Sequence, residues 1–346
     1  MSTSTQDHQG IAFYVAHEQQ NLRLLELPPI LLELLTSQHP SKLSLKSTVS
    51  TEETSGHAVL CSDNQTFQLR QVHSSNSVFL LQPSCIANDT DQASASHGMT
   101  TVAKCEATLE AIPQSIQCTH QLKAAIPVLS SLEVDNIPPS TQPRGKLAIF
   151  DDCPFSVREF EQAWKDICAL EVDGQAFRPS SEVLWKVWRS IVSGCILKGF
   201  SFDQDIDVSS LARTIEEDDV PPFVMRPVVE RLRVNNGVAL HGYLRMSPVE
   251  SVQWAGTVLL EARTEDGNAM SVAAFFNDWK DGLPESWRRY ATWETIKGKS
   301  MQPSEDTILF NGSGLSAGKG SYSITKAESN GPQARRWHEK FKSSRR

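Results

Sequence analysis

Short apolar runs dominate the front of the chain and predict a β-rich region with one short helix. Ile11 to Val15 and Leu22 to Glu26 have strand character, and Pro28-Pro29 before Ile30-Leu31-Leu32-Glu33-Leu34-Leu35 supplies the first-turn proline of a helix. Ala58 to Cys61, the turn chemistry of Ser62-Asp63-Asn64-Gln65, and Thr66 to Val72 read as a strand, a turn and a returning strand. On that return Phe67 and Leu69 share one face, while Gln68 and Arg70 take the other. Val78 to Leu81 is apolar at every position, the pattern of a strand buried on both sides. Between the two lies Ser74-Ser75-Asn76-Ser77, which predicts a bulge or bend. Two Ser/Thr-rich or polar stretches, Thr36 to His57 and Pro83 to Thr101, are expected to be loose insertions. A helix is expected within Leu109 to Leu129, then a Pro-rich linker through Gly145.

Beyond residue 145 the period changes. Ser156-Val157-Arg158-Glu159 is a capping box, with Phe160, Trp164 and Ile167 at helical spacing behind it. Ala169 to Val172, Asp173-Gly174 and Gln175-Ala176-Phe177 predict a hairpin, and Ser180-Ser181-Glu182 opens a helix rich in Val, Leu, Ile and Trp. Helices are also expected over Val208 to Ile215, from Pro221-Pro222 to Leu232, and over Val252 to Ala262; Val238 to Leu244 is strand-like. A third unit, from Met270, repeats Phe160-x-x-x-Trp164-Lys165 as Phe275-x-x-x-Trp279-Lys280 and ends in a strand, Thr307 to Phe310. Helices followed by a two-stranded wing, about three times over, outline tandem winged helices. The fold class is α+β: a β-rich domain at 1–130 with mobile loops near 36–57 and 82–103, a linker at 131–145, and winged helices at 146–200, 201–268 and 269–346.

Composition narrows the chemistry. The net charge of −8 over 346 residues argues against a generic nucleic-acid coat, but not against a local basic patch. No apolar run reaches the length of a membrane span, and MSTSTQDHQG lacks the layout of a signal peptide, so a cytosolic or nuclear protein is expected. The seven cysteines form no C-x-x-C pair and read as reduced thiols; no metal or other cofactor is expected. Asn311 to Gly320 imitates a phosphate-binding loop, yet Ser313 replaces the first glycine and Gly320 the magnesium-binding hydroxyl, so it reads as a linker. His73 beside Ser74 suggests a nucleophile pair, but neighbours on a strand point to opposite faces. A hydrolase built on Ser75 or Cys153 would lack a base and an oxyanion site, and no enzyme is expected. The end of the chain carries the clearest charge signal: Arg335, Arg336, Lys340, Lys342, Arg345 and Arg346, interleaved with Trp337 and Phe341, suit contact with DNA phosphates, a solubilising tail or a nuclear-import signal.

The segment Leu60 to Val78, with its LRQV-x-SSNS core, resembles the signature of the sister chromatid cohesion protein Dcc family, and Leu24-Leu25-Glu26-Leu27-Pro28 and Thr108-Leu109-Glu110-Ala111-Ile112-Pro113 resemble that family's flanking motifs. The resemblance implies a non-ATPase subunit of the alternative replication factor C clamp loader. It implies that the N-terminal β domain completes a barrel shared with a small chromosome-transmission-fidelity subunit and the C-terminal tail of the large subunit. Winged helices would then dock the leading-strand DNA polymerase epsilon and DNA, with the sliding clamp engaged indirectly, in the nucleus, away from membranes. Phe67, Leu69, Arg70, Val72, Asn76 and Val78 are the expected assembly residues. A winged-helix transcription regulator is the alternative, although Ser180 to Leu197 carries only Lys186 and Arg189 as cations, few for a recognition helix.

Overall fold

The computed structural model describes residues 11–48, 56–86, 96–113, 118–132, 143–216, 220–234 and 242–312. It is a mixed α+β structure in which a curled half-barrel sheet sits on an array of helices.

The sheet is dominated by one long hairpin, β5 (Thr66–Ile86) and β6 (Ser96–Pro113), in antiparallel register from Phe67 opposite Pro113 to Ile86 opposite Ser96. Both stretches expected to be loose insertions contribute strands. Pro83–Ile86 and Ser96–Thr101 extend the hairpin, and β3 (Ser44–Ser47) pairs antiparallel with β4 (Ala58–Cys61). In those polar stretches strand formation is driven by ladder pairing to a long neighbour, which period and composition do not record.

One edge of β6 is filled by two short parallel strands, β1 (Ala12–Val15) near its start and β2 (Leu24–Glu26) near its end. β4 covers the opposite edge of the sheet at its base, and β3 lies outside β4. At the base, α1 (Pro29–Thr36) begins with Pro29 in its first turn and lays the fully buried Leu31 against Phe67 and Ala111. Leu27, Leu35, Leu43, Leu60 and Leu69 close around that small core.

The helix expected within Leu109 to Leu129 is short, α2 (Cys118–Ala125), because Leu109 to Pro113 belongs to β6. With α3 (Lys146–Asp152) and α4 (Val157–Asp166) it encloses a core of Leu122, Ile149, Phe155, Phe160 and Ile167. Then β7 (Val128–Leu129), β8 (Leu170–Val172) and β9 (Gln175–Pro179) form a small sheet. Asp173 and Gly174 turn its hairpin with φ of 49° and 76°, as the dipeptide predicts. The helix α5 (Ser181–Lys198) is capped by Ser180 Oγ, which accepts from the Val183 N–H, and stops at Gly199.

The rest runs β10 (Ile206–Asp207), α6 (Val208–Glu216), α7 (Pro222–Leu232), β11 (Tyr243–Leu244), α8 (Pro248–Arg263), β12 (Met270–Ser271) and α9 (Val272–Asp281). Two 3-10 turns, Glu285–Tyr290 and Glu294–Ile296, lead to β13 (Ser300–Ser304) and β14 (Thr307–Phe310). One continuous core runs from Leu129 to Ile308 and holds Trp188, Trp254, Trp279 and Trp287. Most tryptophans are the core anchors their spacing predicts, whereas Trp293 stays 39% exposed.

The sheet is fastened to this array by a buried polar joint. The capping box of α4 forms as expected, with Ser156 Oγ accepting from the Glu159 N–H and the Glu159 carboxylate accepting from the Ser156 N–H. Its carboxylate also accepts from Thr66 Oγ1 at the start of β5 (2.5 Å), and Thr66 Oγ1 accepts from the Ser156 N–H (2.9 Å). Beside it, Lys46 Nζ of β3 donates to the Phe150 and Cys153 carbonyls (2.9 and 3.0 Å) and lies 3.8 Å from the Phe150 ring centroid.

Candidate functional site

The feature that sets this sheet apart is the outer edge of β5. β4 reaches only from Thr66 to Gln68, and from Leu69 to Ile86 no described strand pairs with that edge. At about 3.3 Å per residue the open stretch runs for roughly 55–60 Å. Outside the Ser74–Ser77 run, every second residue along it presents a backbone N–H and C=O outward with no partner among the described strands, a template for another strand.

The polar run in the middle of β5 gives the edge its shape. His73 pairs with Ala107 and Val78 with Cys105, so Ser74 to Ser77 face the single residue Glu106. The run is a large bulge, as expected, and a second shift between Leu80 and Leu81 adds to the bend. Bulges increase local twist and curl a sheet towards closure. His73 contacts Gln71, two residues back on its own face, with their nitrogens 3.1 Å apart.

Above the bulge the sheet has little cover. Val78 is 45% and Phe79 52% exposed, and neighbours on a strand lie on opposite faces, so both faces are bare. Leu81 on β5 and Phe13, Tyr14 and Val15 on β1 are exposed too. The expectation that Val78 to Leu81 is buried on both sides therefore fails within this chain. Exposed apolar side chains beside an open strand edge are the chemistry that strand addition uses.

The expected assembly residues divide between the two halves. Phe67 is buried and Leu69 packs against the same core, so both build the base. Val72 is half-buried. Arg70 is on an exposed face and bridges to Glu110, its cross-strand partner, at 2.6 Å. Asn76 lies in the bulge, and its side chain is outside the described residues. Of the five whose side chains are described, only Val78 is on the bare surface of the open half. Phe79, Leu81 and the β1 apolar residues belong with it and were missed; the signal was an apolar run with no amphipathic period.

Arg335, Arg336, Lys340, Lys342, Arg345 and Arg346 lie outside the described residues. Among the described residues no group of three or more His, Cys, Asp or Glu could hold a metal, and no helix is long and apolar enough to cross a membrane. The six cysteines whose side chains are described are all buried thiols. Burial pushes the thiols of Cys118, Cys168 and Cys195 up to about 12, far from the range of a nucleophile or metal ligand.

No curated protein matches the chain. Residues 22–317, which take in most of the half-barrel and the whole described helical array, match the family model of the sister chromatid cohesion protein Dcc1, and the chain belongs to that family, whose role is in sister chromatid cohesion.

Proposed function

We propose that the chain is a non-catalytic subunit of an alternative replication factor C clamp loader and that its half-barrel is completed by strands of two partner subunits. These are a small chromosome-transmission-fidelity subunit and the C-terminal tail of the large subunit. One observation carries the reading: a strand edge from Leu69 to Ile86 that pairs with no described strand, flanked by apolar side chains bare on both faces. Pairing that edge and covering Val78, Phe79 and Leu81 removes a surface that in isolation invites aggregation. On this reading the helices with their small sheets act as winged helices that bridge the loader to the leading-strand polymerase and DNA in the nucleus, and ATP hydrolysis belongs to partner subunits. The rigid joint at Thr66, Ser156 and Glu159 supports it, because an adaptor has to hold two docking surfaces at a fixed angle.

Co-expression of the full chain with both partners, followed by native mass measurement, tests this. A stoichiometric heterotrimer is expected, lost when Val78 and Phe79 are both replaced by Glu. A chain that stays monomeric beside both partners would contradict it.

A further inference from the structure

A second surface lies away from the half-barrel edge, between α4 and α7. A groove of about 450 Å³ opens there. Arg158, Glu161, Gln162 and Lys165 contribute a single stripe of α4, at spacings of three and four residues. Arg226, Pro227 and Glu230 form the facing wall from α7.

The charges in this groove are unequal in their commitments. Glu161 is held by Lys146 at 2.7 Å, and Glu230 by Arg233 at 2.7 Å. Asp166, at the end of the same helix, is engaged by Arg231 at 3.2 Å and by Gln162 at 3.1 Å. The side chains of Arg158, Lys165 and Arg226 have no acidic partner among the described residues. Lys165 is half-buried in this state, and a half-buried cation with no counter-charge gains from an anion brought from outside. Trp164, Ala169 and Pro227 add an apolar part to the same lining.

We propose that this groove docks an acidic peptide segment of a partner protein, with carboxylates on Arg158, Lys165 and Arg226 and one apolar side chain against the Trp164–Pro227 wall. The arrangement disfavours a nucleic acid. A phosphate backbone carries charge at close, regular intervals and would run over Glu161 and Glu230 on the same walls, whereas a peptide can space its carboxylates around them. The apolar wall also has no use for a phosphate chain. This inference is independent of the strand-pairing reading and survives if that reading fails.

The test is fluorescence anisotropy with the full chain and a fluorescein-labelled twelve-residue peptide of alternating Asp and Ser with one central Phe. A twelve-residue oligothymidine and the same peptide with Ser in place of Phe serve as comparisons. Replacing Arg158, Lys165 and Arg226 together by Glu should weaken peptide binding by roughly tenfold or more, the combined effect of three partly solvated charge contacts. Loss of the Phe should also weaken binding, and Arg189→Glu, an exposed cation on α5, should leave it unchanged. Should the triple variant lose its thermal unfolding transition, Lys165→Gln and Arg226→Gln, which remove charge without reversing it, are read instead. The proposal is overturned if the peptide does not bind, if these variants bind it like the parent, or if oligothymidine alone loses affinity, which would mark a nucleic-acid surface.

Discussion

The helical array and the outer half of the sheet treat large apolar side chains in opposite ways. In the array most big rings find their cover within the chain, Trp293 and Tyr243 being exceptions. Trp188 is wholly buried, donates from Nε1 to the Gly282 carbonyl at 2.9 Å, and meets Trp254 edge-on at 6.1 Å. Trp279 is equally buried and so close to α8 that a Cβ on Gly256 would lie 2.4 Å from its ring. In the sheet above the bulge, Phe79 and Phe13 are more than half exposed on strands that pair along one edge only among the described residues. A chain that packs one region so tightly has the means to pack the other. On the proposed reading the bare surface is where partner strands add, rather than the mark of a poor core.

The widest gap between the two regions should appear on truncation. Trp279→Ala is expected to cost about 3–5 kcal/mol in urea unfolding. Phe79→Ala in the isolated chain should stay within roughly 0.5 kcal/mol, as for any uncovered side chain. Equal losses would break the comparison. Next in size is Gly256→Ala, where overpacking against Trp279 should cost about 1–3 kcal/mol. The joint between the regions comes third. Glu159→Ala leaves the Thr66 and Ser156 hydroxyls short of an acceptor and should cost about 1–3 kcal/mol, with faster hydrogen exchange at the start of β5.

The largest pH effect belongs to the array. The thiols of Cys168 and Cys195 are raised by burial from 9.0 to about 12, so the folded state keeps protons that the unfolded chain has lost. Their stabilising effect is complete below pH 9 and is lost as pH rises from 9 towards 12. Unfolding midpoints compared at pH 7.5 and pH 10 should fall less for a Cys168→Ala, Cys195→Ala double variant than for the parent. The smallest expected effect is at Arg70, whose side chain is 62% exposed: Arg70→Ala should cost less than about 1 kcal/mol, its bridge to Glu110 notwithstanding.

What the sequence made legible follows from how local each signal is. Capping boxes, first-turn prolines and the Asp173-Gly174 turn are decided within a few residues, and they placed α1, α4, α5 and the β8–β9 hairpin. The Ser74 to Ser77 bulge was readable because a small polar run cannot keep the alternation of a strand. β3 and the ends of the long hairpin were not, since polar residues gained strand structure from distant neighbours. The same limit hid Thr66 as the far partner of Glu159, ninety-three positions away, and the convergence of α4 with α7. The apolar run at Val78 to Leu81 was visible, but an unbroken apolar period records nothing of what covers it, which on the proposed reading is a partner chain.

Hydrogen exchange along β5, in the isolated chain and in the co-purified assembly, tests the central claim most directly. The outward amides between Leu69 and Ile86 should exchange fast in the isolated chain and slow markedly in the assembly, while those at Phe67 and Gln68, already beside β4, change little. Equal exchange along Leu69 to Ile86 in both states would contradict an edge completed by partner strands.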